Sequence, residues 1–273
     1  MSGSTASEKR KAFRQLHQSG CFVIPNPWDA GSARMLASMG FKALATTSSG
    51  YAWSNGKPDG GLPRDEVLAH MRFMVEAVDL PVNADFESGF ADTAAGVEES
   101  VLLAIETGVA GFSLEDATGN PQSPLMDIEE AARRISVARA AIDKAGGDTL
   151  LVGRAENFFV GVPDLDDAIA RLKAYSEAGA DCLYAPAIKT AEQVKAVVQA
   201  VTPKPVNVLI GWDTELTVKD LAQLGVRRIS VGGALARAAW TGFYQAARGI
   251  AEEGKFAFGS GGPTGKELNS LFK

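Results

Sequence analysis

The 273-residue chain contains only two cysteines and two histidines. Cys21 and Cys182 are far apart, each opens an apolar stretch ("CFVIP" and "CLYAP"), and no Cys-x-x-Cys occurs. A disulfide framework and a cysteine-based zinc site are therefore excluded, and both cysteines read as reduced packing residues on strands. His17 and His70 fall in helical segments, which leaves a Ser-His-Asp hydrolase without its base. No apolar run approaches the roughly 20 residues needed to cross a bilayer. The start, "MSGSTASEKRKAF", lacks an apolar signal core, so a cytoplasmic location with no membrane partner is expected. Positive charge is also scarce: 27 Lys and Arg against 33 Asp and Glu give a net charge of −6. That balance argues against nucleic acid as a partner, yet leaves room for an anionic substrate at a locally positive or metal-holding site.

What the chain has is alternation. Short β-like runs are expected at 21–25, 43–47, 81–85, 111–115, 149–154, 182–185, 205–209 and 228–231, with amphipathic helical stretches between them. Asp127 with Glu130, and Asp164 with Asp167, have capping-box spacing. "SMGFKA", "SEAGAD" and "QLGVRR" place a glycine between helix and strand, the usual helix stop. Eight such units predict a (β/α)₈ barrel over residues 1–253. A doubly wound sheet fits less well, because no Gly-x-Gly-x-x-Gly follows the first strand. Residues 254–273 read as a glycine-rich hinge and tail, either disordered or docked on a neighbouring subunit.

Barrel chemistry sits at the C-terminal ends of the strands. There the sequence places "TTSSG" (Thr46, Thr47, Ser48, Ser49, Gly50), then Asp85 and Glu87, Glu115 and Asp116, Arg154 and Glu156, Tyr184 and Asn207. Asp85 and Glu87 lie two apart in "VNADFESGF", so a continuing strand would aim both the same way. Asp85, Glu87 and Glu115 converging on one mouth predict a hard-cation site. Asp116 alone reads as a turn or cap residue. Arg154 either pairs with a neighbouring carboxylate or holds a substrate carboxylate or enolate oxygen. "SVGGALAR" suits tight strand–helix packing or, less well, a phosphate.

Taken together, "PNPWDAGSARMLASMGFKALATTSSG", "VNADFESGF", "GVAGFSLEDATG", "LVGRAENF" and "KPVNVLIG" resemble the isocitrate lyase/phosphoenolpyruvate mutase superfamily. The resemblance implies a (β/α)₈ barrel, usually a homotetramer that swaps its last helix between paired subunits. It implies Mg²⁺ (with Mn²⁺ as the other candidate) held by Asp85 directly and by Glu87 through water, with Asp59 and the acidic pair Glu115 and Asp116 nearby. Arg154 matches the family's substrate arginine, while Ser48, Ser49 and Gly50 lie where the family grips a carboxylate. Thr47 and Asn207 join the expected substrate-binding set, and Glu115 joins Arg154 as a catalytic candidate.

The departures are equally specific. The Lys-Lys/Arg-Cys-Gly-His loop of the lyases is replaced by "EDATGNPQSPLMDIEE", which has no Cys, Lys or His. Ala117 stands where phosphonate-processing members carry a lysine, Asn120 is at best a substitute for their asparagine, and Pro186 replaces a lyase glutamate. Glu87 replaces the second Asp of the metal motif. The expected activity is a Mg²⁺-dependent carbon–carbon lyase acting on small 2-oxo or 2-hydroxy carboxylates through a stabilised enolate. Retro-aldol cleavage would need a base, for which Tyr51, Glu115 and Tyr184 are the candidates, whereas oxaloacetate-type decarboxylation needs none. A phosphonopyruvate-type enzyme and a non-catalytic 2-oxo acid binder are the alternatives. A Schiff-base aldolase is disfavoured, because Lys42 lies at the wrong end of its strand and Lys189 lies beyond the sixth.

Overall fold

The computed structural model describes residues 3–259 and 261–273. Its strands are β1 (Phe22–Ile24), β2 (Leu44–Ala45), β3 (Val82–Asp85), β4 (Gly111–Glu115), β5 (Leu150–Arg154), β6 (Cys182–Tyr184), β7 (Val206–Leu209) and β8 (Arg228–Ser230). All neighbours pair in parallel, in the order β1-β8-β7-β6-β5-β4-β3-β2. The two ends of that order meet through one backbone bond, Ala45 N–H to Pro25 O at 3.0 Å. Asn26 completes the seam. Its Nδ2 donates to Thr46 O at 2.9 Å, while its Oδ1 accepts from the Val231 and Gly232 N–H groups, both at 2.9 Å. The result is the expected (β/α)₈ barrel.

The helices are α1 (Ala6–Leu16), α2 (Ala30–Ser38), α3 (Ser48–Ser54), α4 (Arg64–Ala77), α5 (Ala94–Glu106), α6 (Ile128–Lys144), α7 (Leu165–Glu177), α8 (Ala191–Val201), α9 (Val218–Gln223), α10 (Ala234–Glu253) and α11 (Gly265–Leu271). Most of the apolar core lies between sheet and helices, with Val101, Phe112, Leu151, Leu172, Leu183 and Val197 among its members. A second cluster fills the barrel itself, including Ile24, Ala45, Val152, Cys182 and Leu209, and Phe13 of α1 plugs its N-terminal end. Gly111 is needed at that plug, since a Cβ there would meet Leu150 O at 2.7 Å and Phe13 Cε1 at 2.9 Å. The helix stops at Gly40, Gly179 and Gly225 have φ of 88°, 105° and 90°, the left-handed conformation that glycine adopts without penalty.

Three local expectations change. β2 is only two residues long, because Thr47 leaves the sheet to become the N-cap of α3. The Asp127–Glu130 capping box does not form. Asp127 makes no side-chain cap bond, and Glu130 pairs with Arg133 at 2.6 Å and Arg134 at 2.9 Å instead. The strand alternation behind Asp85 and Glu87 fails too: β3 ends at Asp85, Phe86 is wholly buried, and Glu87 has φ 46°. Glu87 is therefore aimed by a turn, closed by Gly89 N–H to Phe86 O at 2.9 Å, and by its own carbonyl accepting from Glu115 N–H at 3.0 Å.

Both histidines are buried structural groups. His17 Nδ1 bonds Phe13 O at 2.8 Å, and His70 Nε2 bonds Trp28 O at 3.0 Å. Burial, aided by the Arg228 charge, pushes His17 down from 6.5 to about 3, and burial pushes His70 down to about 4. Both stay neutral in the folded chain at pH values where the unfolded chain protonates them. Their contribution is complete above pH 6.5 and is lost as pH falls toward those depressed values, at about 1.4 kcal/mol per pH unit for each. Urea midpoints measured at pH 4.5, 5.5 and 6.5 are expected to show His17→Gln losing stability less steeply than the parent by about that amount. Parallel profiles would contradict it.

Candidate active site

Adjacent strand ends assemble the mouth. Thr46 Oγ1 accepts the Asp85 N–H at 2.9 Å and so pins the end of β3. Thr47 caps α3, its Oγ1 accepting the Gly50 N–H at 3.3 Å and lying 3.1 Å from Ser49 Oγ. The Ser48 N–H, left free by the helix start, donates to Asp85 Oδ2 at 3.1 Å. Asp85 is thus fixed through both its backbone and its carboxylate.

β4 and β5 bring Glu115 and Arg154 together in register. Arg154 Nη1 pairs with Asp85 Oδ1 and with Glu115 Oε2, both at 3.0 Å, and its Nε pairs with Glu156 Oε1. The Tyr184 and Phe159 rings lie against the same guanidinium, their centroids 5.3 and 5.9 Å from Cζ. Burial opposes the Arg154 charge, but Glu115, Glu156 and Asp85 outweigh it and hold the guanidinium protonated. The carboxylates are in excess. Glu87 is pushed up to about 7 by burial and then by Asp85 and Asp59. Asp59, on the loop before α4, is raised by partial burial and by Asp85. Burial raises Glu115 and Glu156 as well, against the pull of Arg154.

Asp116 turns away from this cluster. It is only 1% exposed and accepts from Glu156 N–H at 2.8 Å, Arg171 Nη1 at 3.0 Å and Tyr175 OH at 2.6 Å. Rather than capping a turn, it is a buried strut under Glu156. Gly153 permits it, since a Cβ there would come within 2.8 Å of Tyr175 Cβ and push α7 off β5.

Above the barrel core lies a cavity of about 260 Å³. Of the residues expected at the site, Thr47, Ser48, Ser49, Asp59, Asp85, Arg154 and Asn207 line it. Glu87 and Glu115 do not: Glu115 sits behind Arg154, and Glu87 approaches Asp85 from the turn. Gly50 is buried, its N–H spent on Thr47 and its Cα packed so that a Cβ would lie 2.7 Å from Thr47 Cγ2. Among the candidate bases, Tyr51 stacks on His70 at 3.6 Å, away from the cavity. Tyr184 lines the cavity, and burial pushes its phenol up to about 12. No lysine is among the lining residues; Lys189 Nζ instead rests 5.3 Å from the Trp212 ring centroid. Asn120 is bonded within its own loop, to Gln122 N–H at 3.0 Å. The glycines of "SVGGALAR" serve packing, with a Cβ at Gly233 falling 2.7 Å from Ser49 Oγ.

Sequence reading missed Asn26, Asn83, Trp53, Trp212, Ser230 and Arg228, all of which line the cavity. Attention to strand C-termini passes over Asn83 and Arg228, which project from deeper in β3 and from the start of β8. The available signal was alternation: Arg228 and Ser230 flank Ile229, which packs in the outer core.

The donors suit a hard cation. They are all oxygen, and burial, with Asp85 close by, raises both Asp59 and Glu87. Among the described residues no group of three or more His, Cys, Asp or Glu closes on a single point. An ion taking one or two carboxylates and keeping water for the rest is the kind that fits, as Mg²⁺ does.

A (β/α)₈ barrel with an arginine, clustered acids and a small polar cavity at its C-terminal mouth defines a barrel-enzyme site. The profile of the phosphoenolpyruvate phosphomutase family matches residues 13–251, and the chain belongs to that family. It is 34% identical over 188 residues to 2-methylisocitrate lyase of Escherichia coli K12, covering 65% of this chain and 62% of that one. It is 32% identical over 231 residues to oxaloacetate decarboxylase of Bradyrhizobium sp. ORS 278, covering 82% and 77%. A crystal structure from Burkholderia cenocepacia J2315, named only provisionally as a lyase/mutase, superposes with a TM-score of 0.95. It shares 47% identity over 98% of this chain and 97% of its own.

The strut offers a direct check. Tyr175→Phe removes a buried hydrogen bond to a charged acceptor and is expected to cost about 1.5–3 kcal/mol in urea unfolding. A loss below 0.5 kcal/mol would mean that Asp116 does not need the phenol.

Proposed function

We propose that the protein is a Mg²⁺-dependent carbon–carbon lyase acting on small 2-oxo or 2-hydroxy carboxylates. It belongs to a superfamily of carbon–carbon lyases and mutases and is an enzyme of that kind. The observation that carries the reading is the cavity: about 260 Å³, sized for a small acid, with Arg154, Asp85 and the hydroxyl-rich "TTSS" turn in its wall.

Asp85 would hold the cation directly, with Asp59 and Glu87 acting through water, and the same oxygen donors would accept Mn²⁺. When bound, the ion draws electrons from the keto and carboxylate oxygens of the acid. Arg154, kept charged by its three carboxylates, is the donor for the oxygen that gains charge as a carbon–carbon bond breaks. The Ser48 N–H is engaged by Asp85 and Thr47 Oγ1 accepts the Gly50 N–H, so the Ser48 and Ser49 hydroxyls in the cavity wall would orient the carboxylate. Tyr184, protonated at neutral pH, can give a proton to the carbanion carbon but cannot take one. Glu115 is engaged by Arg154, which leaves retro-aldol cleavage short of a base. Loss of CO₂ from an oxaloacetate-like acid needs no such base, and suits the wall best.

The protein is further proposed to be a cytoplasmic homo-oligomer, a tetramer, with residues 254–273 taking part in the subunit contact. Among the described residues no helix is long and apolar enough to cross a membrane. Along α10, Trp240, Phe243 and Tyr244 are 42, 65 and 61% exposed, and beyond it Phe256 and Phe258 are 76 and 73% exposed. On α10, where the Trp240 and Phe243 rings meet edge to face at 5.6 Å, this is an apolar face that needs a cover. Within the chain, α11 rests against α2 and leaves that face open.

Two measurements test these proposals. With Mg²⁺ and a panel of oxaloacetate, 2-methylisocitrate, isocitrate and phosphonopyruvate, NMR is expected to show pyruvate, with or without succinate or glyoxylate. Asp85→Ala should lose both metal affinity and at least a hundredfold in turnover. If it keeps both, the metal is misplaced, and binding without product across the panel would favour a non-catalytic binder. Light scattering after gel filtration should give a multiple of the 28.6 kDa chain mass, and Phe243→Glu should lower it. A monodisperse monomer would overturn the assembly.

A further inference from the structure

Arg228 is 2% exposed and sits inside the barrel, yet no carboxylate of the described residues pairs with it. Its Nε donates to Asn207 Oδ1 at 2.9 Å, and Nη1 reaches Asn83 Oδ1 at 3.4 Å. Both acceptors are neutral amides held in place by their own donors. Asn207 Nδ2 donates to Ser230 Oγ at 3.0 Å and Asn83 Nδ2 to Ala84 O at 3.1 Å. A charge taken out of water without a counter-ion is costly, and amide oxygens return only part of the loss. Arg154 is the opposite case, with three carboxylates around it. Arg154 is the last residue of β5 and Arg228 the first of β8, the two strands being separated by β6 and β7. Both line the same cavity.

The structure assigns Arg228 as the floor anchor for a second carboxylate, which makes the substrate a short dicarboxylate gripped at one end by the Arg154 side and at the other by Arg228. This rests on the proposed reading of the cavity as an acid site and narrows its substrate class. The cavity's net demand fits: the mouth is rich in acid and wants a cation, while the floor holds a cation and wants an anion. Asn83 and Asn207 fix the plane of the Arg228 fork, so little order has to be created when a carboxylate arrives.

The test compares two acids of the same hand that differ by a carboxylate against a methyl group: malate and 2-hydroxybutyrate. The full-length protein in Mg²⁺ is titrated with each by calorimetry. The parent is expected to bind malate at least tenfold more tightly. In Arg228→Gln the ratio should fall to within twofold of unity, entirely through weaker malate. The unliganded thermal midpoint should hold or rise, because an uncompensated buried charge has been removed. A purely structural arginine would instead lower the midpoint and weaken both acids alike. Should Arg228→Gln fail to fold, Arg228→Lys decides the matter. It should lose at least threefold in malate affinity with 2-hydroxybutyrate unchanged, and an equal loss for both overturns the anchor. A parent without preference, or a preference that survives Arg228→Gln, also overturns it. Turnover in the lyase panel without a malate preference defeats the anchor alone; absence of both binding and turnover defeats the acid site with it.

Discussion

Everything at the mouth depends on one guanidinium being shared among Asp85, Glu115 and Glu156. These acids come from three separate strand ends, and without a common counter-charge their mutual repulsion would drive them apart or protonate them. Arg154 therefore acts as the keystone of the rim. It can do so because Glu156 is itself held from below by Asp116, which α7 secures through Arg171 and Tyr175. The chain of support runs from a helix on the outer layer, through a buried carboxylate and Glu156, to the arginine that lines the cavity. Glycine at position 153 sets the spacing of that chain.

The barrel was legible in the sequence because its signals are local and repeated: apolar runs of strand length, capped helices, and a glycine after each of several helices. The acids and the arginine at the mouth were legible because topology places strand C-termini together whatever else the chain does. Glu87 shows where that reasoning stops. Spacing two apart implies a shared face only while the strand continues, and the turn at Phe86 decides otherwise. Glu115 shows a second limit. Its position in β4 is legible, but its concealment behind Arg154 depends on rotamers set by three strands at once. Arg228 escaped because it belongs to the start of a strand, where side chains ordinarily fill the core.

Of the three arginines that line the cavity, Arg154 and Arg228 divide the electrostatic work. One is overfilled with partners and holds the rim together. The other is underfilled, and its cost is carried by the fold for as long as the cavity is empty. Such a buried, unmatched charge is the kind of local inconsistency that stability alone would remove and that a functional site retains.

The aromatic lining has a practical consequence. Trp53 and Trp212 both border the cavity, and the chain has only four tryptophans in all. A ligand in the cavity would lie beside an indole, whose emission responds to its surroundings. The protein thus carries its own optical gauge of occupancy, readable in dilute solution without label, coupled enzyme or radioisotope.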